Sequence, residues 1–575
     1  MSAAIELQPL EVPLEVDGWS FGQFIDEAAT QFADHCALVA SDRSRGAQLR
    51  RYSYAEMYRD VLSLQWGLIE AGVAPGERVG VMLSSLPEWI LYLFAVTRLG
   101  AVFVPINTRF RSRELHHVLS HSGSRTLVAM GNYLGHDHAA TITEVCGSRG
   151  SDGRYTGLQE MRTLIGVGGT AWAPHADAID TDRLLANGRE RIEREGAPPR
   201  DDDPSRTAIL FYTSGTTSFP KGVPLTHANL LPHSVRAGGL LRLQPEEKVL
   251  TLYPFFGISG GANKVLSTFG SGACLVFQDA YRAEEACDLL VSESCTVIHG
   301  VDVQIRDLVA VQKNRGSPSQ PERRATIAFT AGLDEALARE MGDALGLHRF
   351  LHSYGMTETN PMVLRNELGD PFDICVKAGG RIAPTVEVRV VDPDTGVERL
   401  PGEEGEIVMR GATVTSGYYK DPEATRAAFR NGWFHSGDLG VSPQPDLVFY
   451  VGRLKDMLKV GGFNVAPQEV ESFLRTHPEI ADVAVTGVTD ARLGEVPIAY
   501  VVRRLGASVT ADALIAWCRD NVANFKVPRS ISFVDSLPYH TAANGSKMQR
   551  HVLREWAKGG EGSSSPSRQA SQINK

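Results

Sequence analysis

Apolar and polar positions along this chain fall into short apolar runs separated by stretches with helical spacing. The runs at 78–83, 101–106, 126–129, 273–277 and 295–298 have the length of one buried strand and are bounded by polar or turn-forming residues. Strands alternating with helices predict an α/β architecture with largely parallel sheets. The segment 147–203 is rich in Gly, Asp, Arg and Pro, which predicts a surface connection with one short strand at 163–167. After Asp392 the texture changes. A turn signal from Asp392 to Gly396 precedes strand patterns at 406–410 and 447–451, as expected for a small sheet that closes the large region. Beyond Arg453, helical spacing at 468–477 and 511–521 brackets strand patterns at 483–486 and 499–502, the signature of a small α+β domain. From Gly559 the Gly/Ser/Gln composition offers too little apolar surface to order the tail. The expected organisation is a domain over 1–452, a joint at 453–456, a domain over 457–558 and a disordered tail over 559–575. No internal repeat of fixed period is visible.

Composition narrows the functional classes. The 575 residues exceed a single core, and 43% are hydrophobic. A formal net charge of −10 argues against a nucleic-acid backbone or an anionic membrane as partner. Seven scattered cysteines show no metal-ligand spacing and read as reduced, buried thiols. The N-terminus lacks a basic segment followed by an apolar run, so the cytoplasm is the expected compartment. The most apolar run, 89–97, is too short for a transmembrane segment.

The chemistry begins at residues 212–222, which read Y-T-S-G-T-T-S-F-P-K-G after a strand-like run at 208–212. Thr213, Ser214, Gly215, Thr216 and Thr217 offer hydroxyls and backbone N–H groups with little bulk, and Lys221 adds a point charge, a combination that can wrap a polyphosphate. The register differs from the GxxxxGK[ST] loop, and in isolation such a run reads as a hydroxyl-rich turn. Further motifs follow in order: Y-G-M-T-E at 354–358, G-E-I-V-M-R-G at 405–411, S-G-Y-Y at 416–419, G-W-F-H-S-G-D-L-G at 432–440, G-R-L-K-D-M-L-K-V-G-G at 452–462, K-V-P-R at 526–529 and K-M-Q-R at 547–550. Taken together, from about Phe21 to Trp556, the sequence resembles the acyl-CoA synthetase, adenylation-domain and luciferase superfamily, and within it the fatty and medium-chain acyl-CoA synthetases.

The resemblance implies a large N-terminal domain of sheets flanked by helices, with a small β-barrel-like subdomain, followed by a small mobile α+β C-terminal domain. It implies an ATP-dependent acid:CoA ligase that needs Mg²⁺ and passes through an acyl-adenylate. Residue by residue, Glu358 matches the glutamate that holds the metal and Thr357 the contact to the α-phosphate. Tyr354 offers a ring face to adenine, while Asp438 and Arg453 bind the ribose. Lys547 matches the catalytic lysine and Lys455 the hinge, and Gly461 and Gly462 border the CoA tunnel. The acyl pocket falls at Phe256, Gly257, Gly261, Val301, Ala331 and Gly332, with Lys264, His299 and Asp302 among its neighbours. Lys264 and Asp302 read either as polar contacts to a substrate or, more plainly, as solvated or structurally paired charges.

Three positions depart from the family pattern: Ser218 and Ser546 each stand in place of glycine, and Gly257 in place of a histidine. No Asp in 254–260 is placed to hold an α-ammonium, which argues against an amino-acid substrate. The expected partner is a small carboxylic acid: fatty, alicyclic or aromatic. A carrier protein is the alternative acyl acceptor, a non-catalytic binding relative is the third reading, and a homodimer is compatible with the sequence.

Overall fold

The computed structural model describes residues 14–42, 48–168, 178–213, 220–316, 321–328, 335–460, 463–490, 492–542 and 545–558. Among them, two large sheets carry the N-terminal region. The first has the order Lys221–Thr226, Thr207–Thr213, Val102–Pro105, Arg78–Met82, Thr126–Met130, Thr163–Val167, Ile179–Asp180. All neighbours are parallel except the hairpin of Thr207–Thr213 with Lys221–Thr226. The second sheet runs parallel through Cys36–Asp42, Cys274–Gln278, Lys248–Thr251, Val297–Val301, Arg323–Ala328 and Leu347–Met356. It then continues antiparallel through Asn360–Arg365, Gly379–Ile382, Leu447–Arg453, Trp433–Gln444, Glu404–Gly411 and Val386–Val391. The strands predicted at 406–410 and 447–451 lie in this continuation.

The most apolar run is the helix Pro87–Arg98, and every residue in it is buried. Its Trp89 packs on Phe103 of the first sheet and on Phe255, at the edge of the second, so one helix cements both. No described helix is long and apolar enough to cross a membrane.

The segment 147–203 departs from expectation. It contains a helix of 15 residues, Thr181–Glu195, with Leu184, Leu185 and Gly188 buried against the helix Tyr54–Glu70. A Cβ on Gly188 would lie 2.0 Å from the carbonyl oxygen of Ser63, so glycine permits the close approach of the two helices. The charge-rich outer face masks this narrow apolar stripe in the sequence.

The C-terminal region forms its own sheet, in the order Phe463–Val465, Leu458–Val460, Gly494–Arg503, Ile480–Asp490, with Ile531–Phe533 beside Gly494–Arg503. The helices Pro467–Arg475 and Ala511–Asn521 accompany it, as the spacing predicts.

Candidate active site

The strand Thr207–Thr213 leads into the hydroxyl-rich loop and Lys221 begins the return strand, with Thr213 and Lys221 paired. Ser214, Gly215, Thr216, Thr217 and the substituted Ser218 lie outside the described residues, as do Ala331, Gly332, Gly461 and Gly462. The base of the hairpin is held by His121, hydrogen-bonded to the Tyr212 hydroxyl at 2.9 Å, and by His117, on the Pro220 carbonyl at 3.1 Å.

A short segment staples this hairpin to the second sheet. Thr415 donates its hydroxyl to the Pro224 carbonyl at 2.7 Å and its N–H to the Glu358 carbonyl at 2.8 Å; the Tyr419 N–H reaches the Gly222 carbonyl at 2.8 Å. Tyr418 is thereby fixed between Lys221 and Glu358. The Lys221 ammonium sits 4.7 Å from the Tyr418 ring centre, and the Tyr418 hydroxyl donates to Glu358 Oε1 at 2.9 Å. Burial pushes the Glu358 carboxyl above its ordinary range, an effect that Tyr418, Arg453 and Lys221 partly oppose. A half-buried hard oxygen ligand fits Mg²⁺. Thr357 is buried beside it.

The ribose candidates converge from three strands. Asp438, 3% exposed, accepts from the Tyr354 hydroxyl at Oδ2, 2.9 Å away, and its Oδ1 lies 2.9 Å from Arg453 Nε. Asp438 and Arg453 are also register partners. Behind Asp438 stands a support that motif matching missed. Buried Glu406 accepts from the Gly437 N–H at 3.0 Å and pairs with His435 Nδ1 at 2.6 Å; the Ser436 hydroxyl donates to the Ile407 carbonyl at 2.6 Å and accepts from the Asp438 N–H at 3.0 Å. Tyr418, Glu406 and His435 all lie inside quoted motifs, which was the available signal; their partners are distant in sequence.

Lys455 is exposed within the 3₁₀ turn Leu454–Asp456, between the two regions. Arg550 ties that turn to the C-terminal region, with a bidentate pair to Glu471 at 2.7 and 3.0 Å and Nε 3.8 Å from Asp456. Lys547 lies on the strand Gly545–Met548, opposite His540, and this hairpin packs against the strand Val297–Val301. Asp302, the first residue of the following helix, acts electrostatically on Arg475 and Tyr539 of the C-terminal region. It therefore belongs to the seam between the regions.

The expected acyl segment is unusual in backbone. Gly257, at φ −100°, caps a π-helix over Ile258–Lys264. Phe256 is buried just before it, and Val301 is buried at the end of its strand. At Gly261 there is no room for a side chain: a Cβ there would lie 1.9 Å from the Phe255 carbonyl oxygen and 2.4 Å from the Trp89 ring. The glycine serves backbone packing. Irregular helix of this kind recurs at functional sites.

Comparison with known proteins agrees with this geometry. The model of the AMP-binding enzyme family matches residues 25–419, and that of the AMP-binding enzyme C-terminal domain matches 469–544. The feruloyl-CoA synthase of Amycolatopsis sp is 34% identical over 506 residues, covering 88% of this chain and 94% of that protein. The 3-(7a-methyl-1,5-dioxo-octahydro-1H-inden-4-yl)propanoyl:CoA ligase of Mycobacterium tuberculosis is 31% identical over 530 residues, covering 92% and 98%. ATP-bound MatB from Rhodopseudomonas palustris superposes with a TM-score of 0.76 at 28% identity, covering 93% and 99%. The chain belongs to the AMP-binding enzyme family, among its AMP-forming acyl-CoA synthetases.

Proposed function

We propose that this protein joins a carboxylic acid to CoA in two half-reactions at the site between Lys221, Glu358 and Asp438. The observation that carries this reading is the convergence, from separate parts of the chain, of a cation, a metal-competent carboxylate and a diol-binding carboxylate beside one loop. The residue roles follow from their chemistry. Asp438 accepts from the two ribose hydroxyls while Arg453 holds the carboxylate in place. Tyr354 anchors that carboxylate and offers its ring to the base. The residues 213–217 and Lys221 grip the β- and γ-phosphates, and Thr357 meets the α-phosphate. Glu358 would hold Mg²⁺, which supplies charge neutralisation at the phosphates.

In the first half-reaction the substrate carboxylate attacks the α-phosphate and pyrophosphate departs. Lys547, carried by the hairpin that abuts Val297–Val301, neutralises charge between the acid and the α-phosphate. In the second, the CoA thiol attacks the acyl carbonyl and AMP leaves. We place the hinge at Lys455, so that rotation of 457–558 withdraws Lys547 and brings Gly461 and Gly462 to the thiol path. We also place the protein in the cytoplasm.

Product detection by mass spectrometry with a panel of acids, ATP, Mg²⁺ and CoA tests the reading; acyl-CoA and AMP are expected. Accumulation of acyl-AMP with CoA untouched would instead favour carrier-protein loading. In Lys547→Ala, acyl-AMP formation is expected to fall by roughly 10²–10³-fold, the scale of a lost transition-state donor. Thioester formation from supplied acyl-AMP is expected to persist. Equal loss of both steps would overturn the role given to Lys547.

A further inference from the structure

The relatives' named acids share no common skeleton: one is feruloyl, another a dioxo-indenyl propanoyl group. The acid of this chain therefore has to be read from its own pocket. Lys264 ends the π-helix and is 2% exposed. Among the described residues it has no ion-pair partner: its hydrogen bond is from Nζ to Met362 Sδ, at 3.3 Å, a weak acceptor. Met362 lies four residues beyond Glu358, at φ +67° after Asn360 at φ +72°. That contorted ribbon seats the thioether against the lysine, and its strand packs on the π-helix.

Across from Lys264 lies a row of orphaned polar groups. Thr251 pairs with His299 and His299 with Thr326 in parallel register, so the three side chains share one face of the second sheet. The same face carries Val249, Val297 and Leu351, which cluster with Met362. His299 and Thr326 are fully buried, and among the described residues both ring nitrogens of His299 and the hydroxyls of Thr251 and Thr326 have no hydrogen-bond partner. Lys264 reaches this face through Met362, and its charge adds to burial in holding the His299 ring below the ordinary imidazole range. Buried donors in such number without acceptors are costly, and native structures retain them where a ligand or water supplies the missing partner. His299 lies two residues before Val301 on the strand against which the Lys547 hairpin packs, and Lys264 ends the π-helix capped by Gly257, so the row adjoins the residues assigned to the acyl pocket.

We propose that Lys264, His299 and Thr326 form a second recognition point for the substrate acid, binding an acceptor oxygen remote from the carboxyl group that is activated. The substrate class is then a carboxylic acid bearing a distal oxo or carboxylate group on a mainly apolar skeleton. The inference rests on the acid:CoA ligase reading and deepens it. Ketone and carboxylate share the acceptor chemistry, and the experiment separates them.

The test compares octanoate, 7-oxooctanoate and octanedioate, together with 3-cyclohexylpropanoate and 3-(4-oxocyclohexyl)propanoate, by acid-dependent pyrophosphate exchange and CoA-thioester formation. An oxygenated acid is expected to exceed its plain counterpart in kcat/KM by at least tenfold. Lys264→Met and His299→Phe are each expected to erase that ratio, chiefly by raising KM for the oxygenated acid. A preference for octanedioate identifies a distal carboxylate, and one for the oxo acids a ketone. Wild type that activates only the plain acids overturns the inference and leaves the ligase reading intact, as does equal loss on both acids in a folded Lys264→Met. Failure to activate any acid overturns the ligase reading and the inference with it.

Discussion

Replacing Lys264 with Met tests whether a cation is held in the core without a partner. The perturbation keeps the side-chain length and removes the ammonium. Burial holds the Lys264 pKa at about 7, against 10.5 for an ordinary lysine. His299 and His233 are both lowered by burial and by neighbouring cations, Lys264 among them, while Arg365 lies on the strand packed against the π-helix. None of these offers a negative charge. A depression of that size corresponds to roughly 3–5 kcal/mol of lost stability when the lysine is charged in both states. Below about pH 7 the native protein carries that cost in full. Between about pH 7 and 10.5 the unfolded chain binds the extra proton, so wild-type stability rises with pH and the cost fades. Lys264→Met should therefore be more stable than wild type at pH 6, with an advantage that shrinks steadily toward pH 10. Urea denaturation of both proteins at pH 6, 7.5 and 9, followed by tryptophan fluorescence, measures the difference; buried Trp89 lies in the same region. Other titrating groups are common to both proteins and cancel to first order. A difference independent of pH, or a variant weaker than wild type at pH 6, would refute the reasoning.

Asp438→Asn leaves Arg453 without its anion and removes an acceptor for the ribose; KM for ATP in pyrophosphate exchange should rise roughly 10- to 100-fold with kcat less affected. Glu406→Gln should act on the same parameter more weakly, because it loosens the turn beneath Asp438 without touching the nucleotide. Gly261→Ala forces a Cβ into the Phe255 carbonyl and the Trp89 ring, and should lower stability by roughly 1–3 kcal/mol in denaturation curves without changing acid preference. Glu471→Gln strips a buried guanidinium of its bidentate partner, and the resulting loss of roughly 3–5 kcal/mol should appear as early protease cleavage beyond residue 457.

Much of the architecture is legible from local pattern, because a buried strand must be apolar and a helix must show one apolar face. The strands at 78–82, 126–130 and 297–301 and the helix 511–521 follow that rule. The helix 181–195 escapes it, since three small or apolar positions suffice to dock a charged helix on a neighbour. The site motifs were visible because each is contiguous: the residues 354–358, 432–440 and 452–462 carry their chemistry in one stretch of chain. By itself, then, the sequence determined the family, the two-step chemistry it implies and the candidates for each role.

What touches what was decided only by the tertiary structure. Tyr418 reaches Glu358 across 60 residues because the segment at 415–419 is hydrogen-bonded to both sheets, and Tyr354 reaches Asp438 across 84 because their strands belong to one sheet; neither approach follows from chain order. Gly261, whose residue type invites a pocket reading, meets a carbonyl and an indole once folded. Lys264 shows the division most plainly. In sequence it is one more charge that water or an acid could satisfy; only the fold buries it at the end of a π-helix against a thioether, where no described acid reaches it, near a buried row of polar groups on the second sheet.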